Sequence, residues 1–356
     1  MITKAFTLWV WVIMMALFVT PVMGQSSKSA LMPLADRGSY AVGFRMVKFT
    51  DASRNGLTMN NFVWYPAIAP EKPTDRESLR AKQAGWTDAP PDLKAAPAPV
   101  ILYSPGSEGI LSDAQPILMS MVSHGFVVIG LQHPNDSTLA SFVDRPMDVL
   151  MVIDQLATNP PTDFGTLIDT EHIGVMGGSY GAYTALAVTG ARLDPTLTKE
   201  VIGPDWDAAA AYRATFSPIK NGELWPPYSD KRIQAAFMIS VCGADAFGEK
   251  GLATASVPSL IVGGTSDPAC PYAENDVYAF SHLGSPDRYL LSIIKGEHAV
   301  GLDTLHQPVL SQLATAFFGY YLSGQQDYQQ YLTAKYIDDV EAQRKLGLVW
   351  GPYTGK

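Results

Sequence analysis

The chain has 356 residues, of which 47% are hydrophobic and 17% charged, and a formal net charge of −9. That composition suits a globular protein with a large core. The acidic balance argues against nucleic acid and against an anionic membrane surface as partners, and leaves a small neutral substrate open.

The N-terminus reads as a targeting segment. Lys4 is followed by an uncharged apolar run from Ala5 to Val19, and Val22 and Gly24 fit a small-x-small cleavage site. A signal peptide over 1–24 is expected, since the run is short for a membrane span. No cysteine follows the run, which argues against a lipid anchor. The expectation is a secreted or periplasmic protein with no stable membrane span after cleavage. Residues 25–37 read as a polar linker, and 38–356 as a single α/β domain.

Ala41 to Thr50 and Asn60 to Tyr65 predict two early strands joined by the turn Asp51–Gly56. Residues 66–99 carry seven prolines and predict an irregular excursion with one helix near Arg76–Ala84. A regular alternation then begins. Strands are expected at Val100–Tyr103, Phe126–Leu131, Ile173–Met176, Ala236–Val241, Ser259–Gly263 and Tyr289–Ile294. Helices are expected at Ala114–His124, Pro146–Leu156, Tyr180–Thr189, Ala273–Leu283, Gln307–Leu322 and Gln325–Lys345. This rhythm predicts a mostly parallel central sheet with helices on both faces. The stretch 191–232 interrupts it with Trp206, Tyr212, Phe216, Trp225 and Tyr228, and predicts a cap with an apolar inner face over a site.

The chemistry centres on Gly177-Gly-Ser-Tyr-Gly181, a Gly-x-Ser-x-Gly run between a strand and a helix. That is the sequence form of a nucleophile elbow, and it predicts the α/β-hydrolase fold with Ser179 as nucleophile. A serine hydroxyl needs a base in hydrogen-bond reach, and the base needs an orienting acid. The chain order serine, acid, histidine restricts the base to His282, His298 or His306. His298 is favoured because it follows the last central strand. Asp267 follows the strand before it and is the expected acid, with Asp245 as the alternative. Two donors must hold an oxyanion. The backbone N–H of Tyr180 is one. The loop Ser104–Gly109 offers the second at Ser107, with Gly106 as the alternative, because Pro105 has no N–H. No metal-ligand spacing and no dinucleotide fingerprint stand out, so neither metal nor cofactor is expected. Cys242 and Cys270 each follow a strand, and an even count in an exported protein invites a disulfide worth roughly 3 kcal/mol.

Several segments in order resemble the secreted serine relatives of platelet-activating-factor acetylhydrolase, also described as predicted dienelactone hydrolases. They are Tyr40-Ala-Val-Gly43, Val63-Trp-Tyr-Pro-Ala67, Tyr103-Ser-Pro-Gly106, Ser123-His-Gly-Phe-Val-Val128 with His133-Pro134, Arg145-Pro-Met-Asp148, and Gly177–Ala182. The resemblance spans roughly residues 38–320. It implies the triad Ser179, Asp267 and His298 with oxyanion donors at Tyr180 and Ser107, and a small-molecule ester as substrate. Pro105 and Gly178 depart from the family pattern, where histidines are usual. A prolyl-oligopeptidase-like peptidase or amidase is the alternative the elbow allows, but 25–99 is too short for the propeller those enzymes carry. A phospholipid acyl hydrolase is a further alternative.

Overall fold

The computed structural model describes residues 31–107, 114–134, 141–203, 206–220, 222–301 and 303–355. The expected signal peptide therefore lies outside the described residues. The chain opens with β1 (Ala41–Asp51) and β2 (Leu57–Ala67), a hairpin turned by Asn55 in the left-handed region and by Gly56. Next come α1 (Asp75–Ala84), β3 (Trp86–Thr87) and β4 (Ala98–Ser104). The alternation continues through α2 (Gln115–Ser123), β5 (Val127–Gly130), α3 (Ser141–Thr158), β6 (Ile168–Gly178) and α4 (Tyr180–Val188). Two short helices follow, α5 (Pro195–Ile202) and α6 (Trp206–Ala214). The chain then passes through β7 (Ile233–Ile239), α7 (Gly248–Leu252), β8 (Ser259–Gly264), α8 (Tyr278–His282) and β9 (Arg288–Ile293). It closes with α9 (Gln307–Leu322), α10 (Ala334–Arg344) and β10 (Leu348–Trp350).

The ten strands of the described residues form one sheet in the order β10-β9-β8-β7-β6-β4-β5-β2-β1-β3. Strands β4 to β9 run parallel, while β2 and β10 pair antiparallel on either side of them. Alternate residues feed opposite faces. Val100 and Leu102 of β4 join the core beneath α3 and α4, whereas Ile101 and Tyr103 join the core beneath α2 and α9. Burial on both faces explains why the central strands read as continuous apolar runs. Because β4 lies between β5 and β6, the strand order reverses at its carboxyl end. Such a switch point is where open α/β sheets place their ligands. Among the described residues no helix is long and apolar enough to cross a membrane.

Four local expectations need correction. Residues 31–37, the described part of the expected polar linker, pack on the body of the protein. Met32 and Leu34 are buried, and the Leu34 N–H donates to Gln312 Oε1 at 2.7 Å. Helix α3 starts at Ser141, five residues before Pro146. The ring removes the N–H that would have bonded Phe142, and the Phe142 carbonyl accepts from the Tyr183 hydroxyl at 2.8 Å instead. The helix expected over Ala273–Leu283 opens as a π-helical turn at Ala273–Val277 before α8. The helix expected over Gln325–Lys345 splits into a 3-10 segment, Gln326–Tyr331, and α10.

Candidate active site

Ser179 sits alone between the last residue of β6 and the first of α4, with φ 56° and ψ −121°. A non-glycine residue in that region costs on the order of 1–3 kcal/mol and persists only where its surroundings fix it. Here the Ser179 N–H donates to the Ile239 carbonyl of the neighbouring strand at 2.9 Å, and the Ser179 carbonyl accepts from Ala182 at 2.8 Å. The flanking glycines are demanded by contact. A Cβ on Gly177 would overlap the Gly181 carbonyl, and one on Gly181 would overlap the Ser104 carbonyl at the end of β4. The turn therefore presents the half-buried Ser179 side chain at the carboxyl end of the sheet.

Two loops meet it there. His298 Nε2 lies 2.8 Å from Ser179 Oγ, and His298 Nδ1 lies 2.7 Å from Asp267 Oδ2. A carboxylate only accepts, so Nδ1–H donates to Asp267 and leaves Nε2 as the acceptor for the serine hydroxyl. The other Asp267 oxygen accepts from the backbone of Ala269 at 2.8 Å and Cys270 at 2.9 Å. The Asp267 side chain is wholly buried, whereas that of His298 is 30% exposed and reachable from solvent. Ser240 Oγ donates to the His298 carbonyl at 2.9 Å and steadies the histidine loop. The alternatives lie elsewhere. Asp245 is exposed on a 3-10 turn after β7. His282 donates to the Tyr278 carbonyl one turn back, and His306 bridges Asp303 and the Leu346 carbonyl.

Cys242 and Cys270 form a disulfide with Cα atoms 5.3 Å apart, across the carboxyl ends of the adjacent strands β7 and β8. The bridge packs against the serine, with Cys242 Sγ 3.6 Å from Ser179 Oγ. Donor atoms of both cysteines and His298 lie within 4.8 Å of one another, but with both sulfurs bonded the cluster offers no thiolate.

Gly106 lies against the serine, its Cβ position 3.4 Å from Ser179 Cβ, and Ser107 follows it, exposed. Tyr180 opens α4. Helix N-termini of this kind favour negative charge. Beside Ser179 is a cavity of about 130 Å³, lined by Tyr103, Ala114, Gly178, Ile239, Ala299 and Gly301 among others. Among the described residues, no lining residue comes from 191–232. Three aromatics of that stretch serve other ends: Trp225 and Tyr228 are buried in the core, and the Tyr212 hydroxyl donates to Asp144 Oδ1 at 2.7 Å. The expected apolar inner face over the site is thus not found among the described residues. Gly178 lines the cavity, and a Cβ there would lie 3.7 Å from the Tyr103 hydroxyl.

Two buried features were not legible as parts of the site. Ser104 Oγ, His133 and Asp148 form a second hydrogen-bonded array, with Ser104 Oγ–Nε2 at 2.9 Å and Nδ1–Asp148 Oδ2 at 2.8 Å. All three are buried, so the array supports the structure beneath Pro105 and Gly106 and presents no hydroxyl to solvent. Arg54 Nη2 lies 2.7 Å from Asp148 Oδ1, outside hydrogen-bond alignment. Burial opposes the Arg54 charge, but Asp148 and Asp51 offset it and hold the guanidinium above its ordinary value.

The second feature is Asp276, on the π-helical turn and fully buried behind the β7 and β8 ends. Its Oδ1 accepts from the Val241 N–H at 2.9 Å, and burial pushes the carboxyl well above the usual carboxylate range. A raised folded-state value means the proton is bound more tightly in the native chain. The stability it confers is complete below the unfolded value of about 4 and is lost as pH rises toward the folded value. Asp276→Asn, neutral throughout, should therefore gain stability relative to the parent as pH rises from 4 to 8. Urea midpoints across that range test this, and a constant difference would refute it.

Compared with known proteins, the chain matches no protein-family model and no curated protein.

Proposed function

We propose that the chain is a serine hydrolase of the α/β-hydrolase fold that cleaves carboxylic esters with short acyl groups. The observation that carries this reading is the continuous hydrogen-bonded chain from Ser179 through His298 to Asp267 on a strained strand–helix turn. In the proposed reaction Ser179 Oγ attacks the ester carbonyl as its proton passes to His298 Nε2. The tetrahedral oxyanion is held by the backbone N–H groups of Tyr180 and Ser107. Collapse breaks the C–O bond, and the leaving alkoxide takes the proton from His298. Water, deprotonated by the same imidazole, then releases the acid and restores the serine.

The small cavity beside Ser179 supports a short acyl group, since pockets for drug-sized ligands run from about 300 to 1,000 Å³. The disulfide agrees with an oxidising compartment and hence with export. A p-nitrophenyl ester series tests the proposal. The value of kcat/KM is expected to fall by about 10-fold or more from acetate to octanoate. A fluorophosphonate probe should form its adduct on Ser179. A maximum at octanoate would overturn the acyl assignment, and absence of the adduct would overturn the hydrolase assignment.

A further inference from the structure

The segments His133-Pro134 and Arg145-Pro-Met-Asp148 are far apart from the elbow in sequence, and no step of the proposed reaction uses them. The fold brings both beneath the loop that follows β4. Arg145 projects from the first turns of α3 and is fully buried. Its Nη1 donates to the Pro105 carbonyl at 2.6 Å and its Nη2 to the Gly106 carbonyl at 2.9 Å. The same guanidinium lies over the Tyr180 ring, 4.4 Å from the centroid. One side chain thus touches both segments that carry the proposed oxyanion donors.

The planarity of the peptide bond gives these contacts a consequence. In a trans peptide the C=O of one residue and the N–H of the next point in opposite directions. Drawing the Gly106 carbonyl onto Arg145 turns the Ser107 N–H away from Arg145. Drawing in the Pro105 carbonyl does the same for the Gly106 N–H. Gly106 rests against Ser179, so the orientation of these two peptides decides whether an N–H faces the reacting carbonyl. Left alone, a Gly/Pro loop has several peptide orientations of similar energy. A planar, bidentate donor selects one of them, and a lysine cannot reproduce that fork.

The base of the loop is held as well. Ser104 is the residue immediately before Pro105, and its hydroxyl is tied through His133 to Asp148, one turn beyond Arg145 on α3. Asp148 is in turn seated against Arg54. Helix α3 therefore holds the loop at two points, at Ser104 through Asp148 and at Pro105 and Gly106 through Arg145.

We infer that Arg145 is the positioning residue of the oxyanion hole, orienting the 105–107 peptides while bracing Tyr180, with the Ser104–His133–Asp148 array as its anchor. The inference rests on the serine-hydrolase reading. Its test uses the full exported chain with its disulfide intact. Arg145→Lys keeps the charge and loses the fork, and Arg145→Met loses both.

For p-nitrophenyl acetate each variant is expected to lose about 10²–10³-fold in kcat, with KM changed by no more than about 3-fold. Inhibition by a short alkylboronic acid, which forms a tetrahedral adduct on the serine, should weaken in parallel with kcat. Thermal unfolding identifies variants that fail to fold. Ser104→Ala, which frees the base of the loop and leaves Arg145 in place, is the second line and should lower kcat about 3- to 10-fold with KM unchanged. Parental kcat and boronate affinity in a folded Arg145→Lys would overturn the inference. If neither Arg145 variant folds, unaltered kcat in Ser104→Ala would overturn it. A parent that neither hydrolyses the ester nor labels at Ser179 would instead refute the hydrolase reading on which the inference rests.

Discussion

Alanine at position 179 should leave the protein folded and reduce kcat for p-nitrophenyl acetate by about 10⁴-fold or more. The fold should survive because alanine keeps the Cβ and meets the same cost at φ 56° that serine already bears. The backbone bonds to Ile239 and Ala182 do not involve the hydroxyl. What disappears is the oxygen 2.8 Å from His298 Nε2, and with it the atom that would form the acyl-enzyme. Hydrolysis left over should show no burst and no fluorophosphonate adduct, because the remaining groups can assist only direct attack by water. Unfolding temperature, steady-state rate and intact mass after labelling are the three measurements. Parental turnover in Ser179→Ala would remove Ser179 from the reaction altogether.

Asp267→Asn should be nearly as damaging, with kcat lower by about 10⁴-fold, and here the surroundings predict which way the amide turns. Asp267 Oδ1 is fixed by the N–H groups of Ala269 and Cys270, two donors that only an oxygen can satisfy. Asparagine must therefore place its carbonyl there and turn its NH₂ toward His298. Facing a donor, His298 Nδ1 becomes an acceptor and the ring carries its proton on Nε2. That tautomer cannot take the proton of Ser179. Asparagine is close in size to aspartate, so the unfolding temperature should change little. A pH–rate profile that recovers at high pH, where hydroxide replaces the missing base, would support the tautomer argument. Retention of more than about a tenth of parental kcat would contradict it.

How much of this was readable beforehand depends on how local the cause was. The Gly-x-Ser-x-Gly run was legible because its residues are contiguous: Gly177 answers to the Gly181 carbonyl four residues on, although the demand on Gly181 comes from the distant Ser104 carbonyl. Asp267 and His298 were legible because each follows a strand whose apolar run is unmistakable, and the parallel order of the sheet brings the strand ends together. Alternation of strands and helices was enough for the sheet at the level of α/β architecture. The two-residue β3 and three-residue β10 were missed, since both are too short to carry a period.

The aromatics of 191–232 pointed to a cap that the described residues do not show, and for a different reason. A Trp or Tyr filling a core and one lining a pocket have the same sequence signature, and only the packing tells them apart. Arg145, His133 and Asp148 were visible as motifs but not as a unit. Their contacts join the end of β4, the exit of β5 and the start of α3, and nothing in the spacing records that convergence. Pro146 concealed the true start of α3, because the structure supplies Tyr183 as a substitute partner from another helix.

Gly178 has a meaning for how the protein can change. Its neighbours at 177 and 181 have no freedom, since any side chain there would collide with backbone. Gly178 opens onto the cavity, and among the described residues a Cβ there meets only the Tyr103 hydroxyl at 3.7 Å. Bulk can be added there by a single codon change without disturbing the turn on either side. The elbow thus holds its invariant and its adjustable parts side by side. Selection, in nature or in the laboratory, can redraw the shape of the cavity at 178 while Ser179, His298 and Asp267 stay where they are.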